Sequence, residues 1–383
     1  MNKPVGTLVT DYGAQEAAMR RYCADGEARA LALGNRGPIR FTDAGDLHPA
    51  IREAYGRCGF YVFTGVLEAD ELADIETDFL DIQARLPVRR GDAVDAQGRP
   101  ALGAGHEGLN LIWAKPLCDP VGGTMAAHGR YPVKMFEPPA PADAPDEMVY
   151  LVLGSLQFSE ACLRVYGHPR LLAVAAAING PDFVPFNEAL WMKAPGLGAS
   201  VAWHKDGWTH WQSPELDEGS HGFNFMAQLY GCTPANGLWV VPGSHRGKAD
   251  IAAMVATAGS ERLPAAVPLV CDPGDVAITN RQAVHGSFAN TSADWRVTVN
   301  FGFHRRRSVL GVAGGGVHNA PAVYDGERIA KRARAIGWAI DARRQRFPDE
   351  TPFAYAPHAG ESVPWDDAAR AAIKDYNLLD LGI

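Results

Sequence analysis

The stretch Val201-Ala-Trp-His-Lys-Asp-Gly-Trp208 decides how the rest of the sequence is interpreted. It contains His204 and Asp206, and residues i and i+2 of a β-strand point to the same face of a sheet. An imidazole and a carboxylate can therefore reach one metal ion from this stretch. A second imidazole is available far downstream, at His285. Two histidines and one carboxylate leave three positions of a six-coordinate metal free, an arrangement typical of non-haem Fe(II) sites.

A potential anion-binding strand follows His285. Arg296 and Thr298 alternate in Asp294-Trp-Arg-Val-Thr-Val-Asn-Phe301, so both are predicted to face one side. A guanidinium and a hydroxyl on one face can bind a single carboxylate. Two plainer interpretations exist: a surface His–Asp pair, and a cross-strand ion pair for Arg296. The complete set of His-x-Asp, later histidine and Arg-x-Thr favours the metal site.

Four segments resemble the phytanoyl-CoA dioxygenase family of Fe(II)/2-oxoglutarate oxygenases, which includes the ectoine hydroxylases. These segments are Gly59-Phe-Tyr-Val-Phe-Thr-Gly-Val-Leu67, Trp191-Met-Lys-Ala-Pro-Gly196 leading to Trp203-His-Lys-Asp206, Asn236-Gly-Leu-Trp-Val-Val-Pro-Gly-Ser-His245, and Gly274 to Ser287 followed by Arg296. Together they cover residues 45–305, whereas 90–150 and 305–383 resemble nothing in the family.

The resemblance implies an α+β fold with a double-stranded β-helix (jelly-roll, cupin-like) core, flanking helices and long loop insertions. We expect residues 1–383 to form a single oxygenase domain. Its core would span about 45–305, with a loop insertion at 90–150 and a C-terminal helical extension at 305–383.

The resemblance also implies the roles of individual residues. His204, Asp206 and His285 would be the catalytic iron ligands, and 2-oxoglutarate and O2 would be the co-substrates. Arg296 and Thr298 would bind the distal carboxylate of 2-oxoglutarate. Two further residues would lie on the cofactor side: Lys193 and Gln228.

Asp206 bears on the type of reaction. Halogenating relatives carry a small residue in its place, so its presence predicts hydroxylation of an unactivated C–H bond, with succinate and CO2 as co-products. Desaturation, epimerisation and cyclisation stay open as other outcomes at the same iron site.

The prime substrate is expected to meet an aromatic stretch directly after the first two ligands. Trp208, His210 and Trp211 are predicted to line its pocket, with Asn280 and Arg281 as weaker candidates. We expect the Gly/Pro-rich residues 90–150 to close this pocket. In the alternative, the insertion packs on the far side of the core or mediates dimerisation.

Composition limits the partners. A formal net charge of −8 disfavours nucleic acid, and there is no polybasic membrane signal. The six cysteines are scattered without a C-x-x-C motif, as in reduced cytoplasmic proteins, and no apolar leader or spanning segment is evident. The expected partner is a small-molecule substrate, and a homodimer is compatible with the sequence.

Hydrophobic periodicity predicts helices over 11–33, 48–57, 68–86, 325–346 and 365–376. It also predicts two helices within 148–179, broken at 167–169, and strands throughout 183–303. The motif Gly103-Ala-Gly-His-Glu-Gly108 matches a dinucleotide fingerprint, but Gln97-Gly-Arg-Pro100 precedes it instead of a strand, so no nucleotide site is predicted.

Two other functional classes compete with an oxygenase. A cupin-like protein could keep the fold and the metal yet only bind ligands. A zinc hydrolase also uses histidine and carboxylate ligands.

Overall fold

The computed structural model describes residues 10–186, 188–206, 221–247, 249–314 and 320–380. Its strands in these ranges are β1 (Arg36–Gly37), β2 (Phe60–Phe63), β3 (Leu111–Ala114), β4 (Met148–Leu153), β5 (Val184–Pro185), β6 (Ala189–Lys193), β7 (Val201–His204), β8 (Gly222–Gln228), β9 (Trp239–Val240), β10 (Val267–Pro268), β11 (Val276–Asn280), β12 (His285–Ser287), β13 (Arg296–His304), β14 (Ala313–Gly314) and β15 (Ala322–Val323). Its helices there are α1 (Glu16–Ala32), α2 (Pro49–Cys58), α3 (Ala69–Ala84), α4 (Glu160–Tyr166), α5 (Pro169–Asn179), α6 (Ile251–Ala258), α7 (Arg306–Val309), α8 (Gly326–Arg346) and α9 (Asp367–Ala372).

Two sheets form the core. The large sheet has the order β1-β2-β11-β8-β13-β6-β4-β3, with β5 also paired to β13. The small sheet has the order β10-β9-β12-β7. Apart from the parallel β1–β2 pair, the paired strands of these two sheets run antiparallel. This architecture confirms the predicted α+β fold with a double-stranded β-helix core.

Alternation along the central strands separates an apolar layer from the interior of the β-helix. On β13, Val297, Val299 and Phe301 belong to the apolar core. The intervening positions are Arg296, Thr298 and Asn300, of which the first and last line the cavity between the sheets. Because successive side chains of a strand point to opposite faces, one strand builds both the core and the site.

Helices cover the outer faces of both sheets. Ile75 of α3, Leu171 of α5 and Ile336 of α8 are buried in the same apolar cluster as the core face of β13. Against the small sheet, Tyr22 of α1 stacks on Trp239 of β9, with ring centroids 4.4 Å apart. None of the helices in the described ranges is both long and apolar enough to cross a bilayer.

The prediction of two helices within 148–179 is wrong at its start, since residues 148–153 form β4 at the side of the large sheet. Met148-Val-Tyr-Leu-Val-Leu153 is a short apolar run that periodicity cannot assign, and its β-branched and aromatic residues suit a buried strand. The break at 167–169 is observed, between α4 and α5. Helix α6 was not predicted; Asp250 caps it by accepting from the backbone N–H of Ala253.

A buried charge cluster attaches the C-terminal extension to the core. Arg332 of α8 donates to Glu188, at 3.0 Å, and to Asp380. Tyr376 also donates to Glu188. Burial raises the pKa of Glu188 to about 8, and Asp380 adds to this although Arg332 opposes it. Three parts of the chain, near residues 188, 332 and 380, therefore depend on one another for charge compensation.

Candidate metal centre

The pairing of β7 with β12 brings His204 and His285 together. The two residues are register partners across antiparallel strands, and their ring centroids lie 4.2 Å apart. Gly286 makes this pairing possible, because a Cβ atom there would lie 3.0 Å from the carbonyl oxygen of Val201 and 3.1 Å from the nitrogen of Trp203. A side chain at position 286 would push the two histidine strands apart.

Asp206 completes a three-residue group. Its Oδ1 lies 3.3 Å from Nε2 of His204 and 3.7 Å from Nε2 of His285. One ligand atom from each residue lies within 4.8 Å of the others, and all three side chains are buried. Its backbone N–H donates to the carbonyl of Arg281 at 2.9 Å, which fixes the chain just after β7.

Hydrogen bonds fix the tautomer of both histidines. Nδ1 of His204 donates to the carbonyl of Ala202 at 2.8 Å, and Nδ1 of His285 donates to that of Ala283 at 2.9 Å. A carbonyl oxygen can only accept, so each proton is on Nδ1 and each Nε2 lone pair is free. Free Nε2 atoms next to a carboxylate oxygen are what a metal ion requires.

Electrostatics favour the metal-binding protonation states. Burial lowers the pKa of His204 to about 4, with the nearby His285 adding to the effect, so His204 is neutral near neutral pH. Burial alone would raise the pKa of Asp206, but His285, His204 and Arg281 hold it well below its ordinary value. Two imidazoles and one carboxylate, without thiolate, are a donor set that fits Fe(II).

Asn224 is a site residue that the sequence analysis missed. Its Nδ2 donates to Oδ2 of Asp206 at 2.6 Å, and both groups are buried. This bond occupies one carboxylate oxygen and leaves Oδ1 directed at the two histidines. Alternation along Gly222–Gln228 could have revealed it, because Asn224 and Gln228 share one face of an otherwise apolar strand.

Asn224→Ala is expected to lower metal affinity by about 10–100-fold, since the residues that orient metal ligands typically contribute that much. Competition against a chelator of known affinity measures the change. Asn300→Ala is the matched control, because Asn300 is an amide on the neighbouring strand that also lines the cavity. Equal metal affinity in the two variants would show that Asn224 does not orient Asp206.

A cavity of about 230 Å³ extends from the three-residue group between the two sheets. Arg296 lines it and is 3% exposed. Among the described residues no carboxylate pairs with Arg296, so the predicted alternative of a cross-strand ion pair is absent there. A buried guanidinium without an acidic partner can bind a carboxylate ligand.

The other predicted cofactor-side residues are not among the described residues that line the cavity. Thr298 donates from its hydroxyl to Oε1 of Gln228 at 2.8 Å, directly across the β13–β8 pair. Nζ of Lys193 donates to Oγ of Ser287 at 2.8 Å and to the carbonyl of Phe288 at 2.7 Å. Burial, with Arg296 nearby, lowers the pKa of Lys193 well below its ordinary value. In this geometry Lys193 supports the end of the His285 strand.

The predicted substrate residues divide into two groups. Trp208, His210 and Trp211 lie outside the described residues. Asn280 accepts from the backbone N–H of Gln282 at 2.9 Å, and Arg281 lies over the ring of Phe186, 3.4 Å from its centroid, with Nε 4.0 Å from Oδ2 of Asp206. Neither residue lines the cavity. Arg281 therefore acts on the metal centre through its charge, which lies near the carboxylate of Asp206.

Part of the 90–150 insertion reaches the metal centre. The ring of Tyr131 packs on that of His204, with centroids 4.8 Å apart. Five residues between positions 121 and 131 line the cavity: Val121, Ala126, Ala127, Arg130 and Tyr131. No periodic pattern in this irregular segment could have identified them.

A double-stranded β-helix with a His–Asp–His group in its cavity is the arrangement typical of non-haem iron oxygenases. The phytanoyl-CoA dioxygenase family model matches residues 55–298. The chain belongs to this family, as the sequence segments predicted. Family membership and the three-residue group together support iron and 2-oxoglutarate as its cofactors.

Several solved structures resemble the chain. AviO1 from Streptomyces viridochromogenes Tue57 is 23% identical, with a TM-score of 0.45 over 66% of this chain and 92% of that one. EctD from S. alaskensis, solved with 2-oxoglutarate and 5-hydroxyectoine, is 19% identical, with a TM-score of 0.48 over 71% and 81%. The epimerase SnoN from nogalamycin biosynthesis is 16% identical, with a TM-score of 0.44 over 70% and 86%. No curated protein matches the chain. Likenesses at this level identify no substrate.

Proposed function

We propose that this protein is an Fe(II)/2-oxoglutarate-dependent dioxygenase that hydroxylates an unactivated C–H bond of a small organic molecule. One observation carries the proposal. The His204–Asp206–His285 group lines the same cavity as the guanidinium of Arg296, which has no acidic partner in the described ranges. A metal ion and a dicarboxylate co-substrate can therefore occupy the cavity together.

The chain's own residues have distinct tasks in this proposal. His204, Asp206 and His285 would hold the iron, and Asn224 would keep Asp206 bound through one oxygen. Arg296 would bind the distal carboxylate of 2-oxoglutarate, with Thr298 and Gln228 supporting the wall beside it. Bound iron with 2-oxoglutarate and O2 would supply the oxidising power for this hydroxylation, with one oxygen atom going to the substrate and the other to succinate, and with CO2 released.

Turnover of 2-oxoglutarate to succinate tests the function. The protein is loaded with Fe(II) without oxygen, then exposed to O2, 2-oxoglutarate and candidate metabolites. We expect substrate-stimulated succinate release that requires iron. Incorporation of one oxygen atom from labelled O2 into the product would identify hydroxylation, whereas a product without it would indicate desaturation, epimerisation or cyclisation. Stoichiometric zinc without consumption of 2-oxoglutarate would indicate a hydrolase, and iron binding without turnover a cupin-like binding protein.

A further inference from the structure

We infer that Arg130 is a recognition site for a carboxylate on the prime substrate, so that the substrate is a small monoanion with an apolar body. The inference rests on the proposed function, because it assigns the part of the cavity that iron and 2-oxoglutarate leave free. Arg130 belongs to the irregular insertion between β3 and β4 and lines the cavity.

The guanidinium of Arg130 has no acidic partner among the residues that the structure describes. One of its nitrogens donates to the hydroxyl of Tyr131, and its carbon lies 4.7 Å from the centroid of that ring. Its Nε and Nη1 atoms are buried and have no hydrogen-bond partner in the described part of the chain. Among the described residues no carboxylate forms an ion pair with it. Buried donors without acceptors are costly, so this guanidinium keeps hydrogen-bonding capacity that an anionic ligand could use.

The position of Arg130 suits the prime substrate. Its neighbour Tyr131 packs on the metal-ligand histidine His204, which places this segment at the metal centre. Arg296, by contrast, projects from β13 of the large sheet. The cavity thus has two guanidinium groups supplied by different elements, and the distal carboxylate of 2-oxoglutarate requires only one.

The charges of the cavity indicate a single negative charge on the substrate. Its described lining contains two guanidinium groups, from Arg130 and Arg296, and one carboxylate, from Asp206. A divalent iron ion and the 2-oxoglutarate dianion cancel each other, so one positive charge is left for the substrate to neutralise. A carboxylate meets this requirement and matches the guanidinium fork in geometry.

The rest of the wall is mainly apolar and defines the substrate body. Its large side chains include Tyr150, Leu153, Trp191, Met226 and Leu238. The whole cavity of about 230 Å³ would also have to hold iron and 2-oxoglutarate, so the space left suits only a short aliphatic group. Apolar walls also strengthen an ion pair at Arg130, because they lower the local dielectric.

Calorimetric titration with hexanoate and its neutral analogue hexanamide tests the inference on protein loaded with Mn(II), which prevents turnover. With 2-oxoglutarate present, hexanoate is expected to bind at least about tenfold more tightly than hexanamide, the gain typical of a charged hydrogen bond. Arg130→Met should abolish this preference without changing 2-oxoglutarate affinity, and Arg130→Lys should retain part of it. Circular dichroism checks that each variant is folded.

A second series without 2-oxoglutarate separates this inference from the proposed function. There, Arg296→Met should keep the preference for hexanoate and Arg130→Met should lose it. If 2-oxoglutarate does not bind the parent protein, the proposed function is refuted. The preference for hexanoate over hexanamide can still be measured in that case. The assignment of Arg130 is overturned if the parent shows no preference, if the preference survives in Arg130→Met, or if that variant loses 2-oxoglutarate binding instead.

Discussion

Replacing His204, Asp206 or His285 by alanine is expected to lower iron-dependent turnover of 2-oxoglutarate by more than roughly a hundredfold. Residues that merely orient metal ligands contribute about ten- to a hundredfold, so loss of a ligand should exceed that. The three ligand atoms lie within 4.8 Å of one another, and each variant removes one of them. Succinate release and iron content after anaerobic loading measure the effect.

The control for this experiment is a check that each variant keeps the fold of the parent protein. Each of the three side chains is buried, but none belongs to the apolar clusters that hold the sheets together. We therefore expect the circular dichroism spectra and unfolding temperatures of the variants to stay close to those of the parent protein. A variant that keeps full turnover would remove its residue from the proposed ligand set.

Arg296→Met is expected to raise the KM for 2-oxoglutarate about ten- to a hundredfold. The loss of a charged hydrogen bond costs about 1.5–3 kcal/mol, and no described carboxylate competes for this guanidinium. Iron affinity should not change, because Arg296 is on the large sheet whereas both histidines are on the small one.

Arg296→Lys serves as the conservative variant. Its KM for 2-oxoglutarate should lie between those of the parent protein and Arg296→Met, since an ammonium keeps the charge but not the bidentate fork. The KM for the prime substrate should change far less than that for 2-oxoglutarate in both variants. An unchanged 2-oxoglutarate KM in Arg296→Met would show that this arginine serves the structure alone.

Much of the fold could be predicted from the sequence because short-range patterns indicate directly which side chains lie on the same side of the chain. The i, i+2 spacing of His204 and Asp206 predicted neighbouring ligand atoms, which the structure shows, although β7 ends at His204 and Asp206 follows the strand. The alternation of Arg296 and Thr298 likewise corresponds to one face of β13. These predictions needed no knowledge of which strands pair.

Prediction of secondary structure failed where the conformation of a segment depends on the strand that it pairs with. Met148–Leu153 is equally apolar as a helix or a strand, and only its place beside β6 makes it β4. The role of Arg281 as a substrate residue stays a prediction; in the structure its guanidinium lies over the ring of Phe186. The contact of Tyr131 with His204 joins positions far apart in sequence through an irregular loop, for which no local signal exists.

The buried cluster of Glu188, Arg332 and Asp380 has a consequence for the order in which the chain matures. During synthesis Glu188 leaves the ribosome well before Arg332 and Asp380, its charge partners in the finished protein. A buried carboxylate without its cationic partner is strongly unfavourable. We therefore expect the start of β6, next to Glu188, to stay open on the nascent chain until α8 has been made.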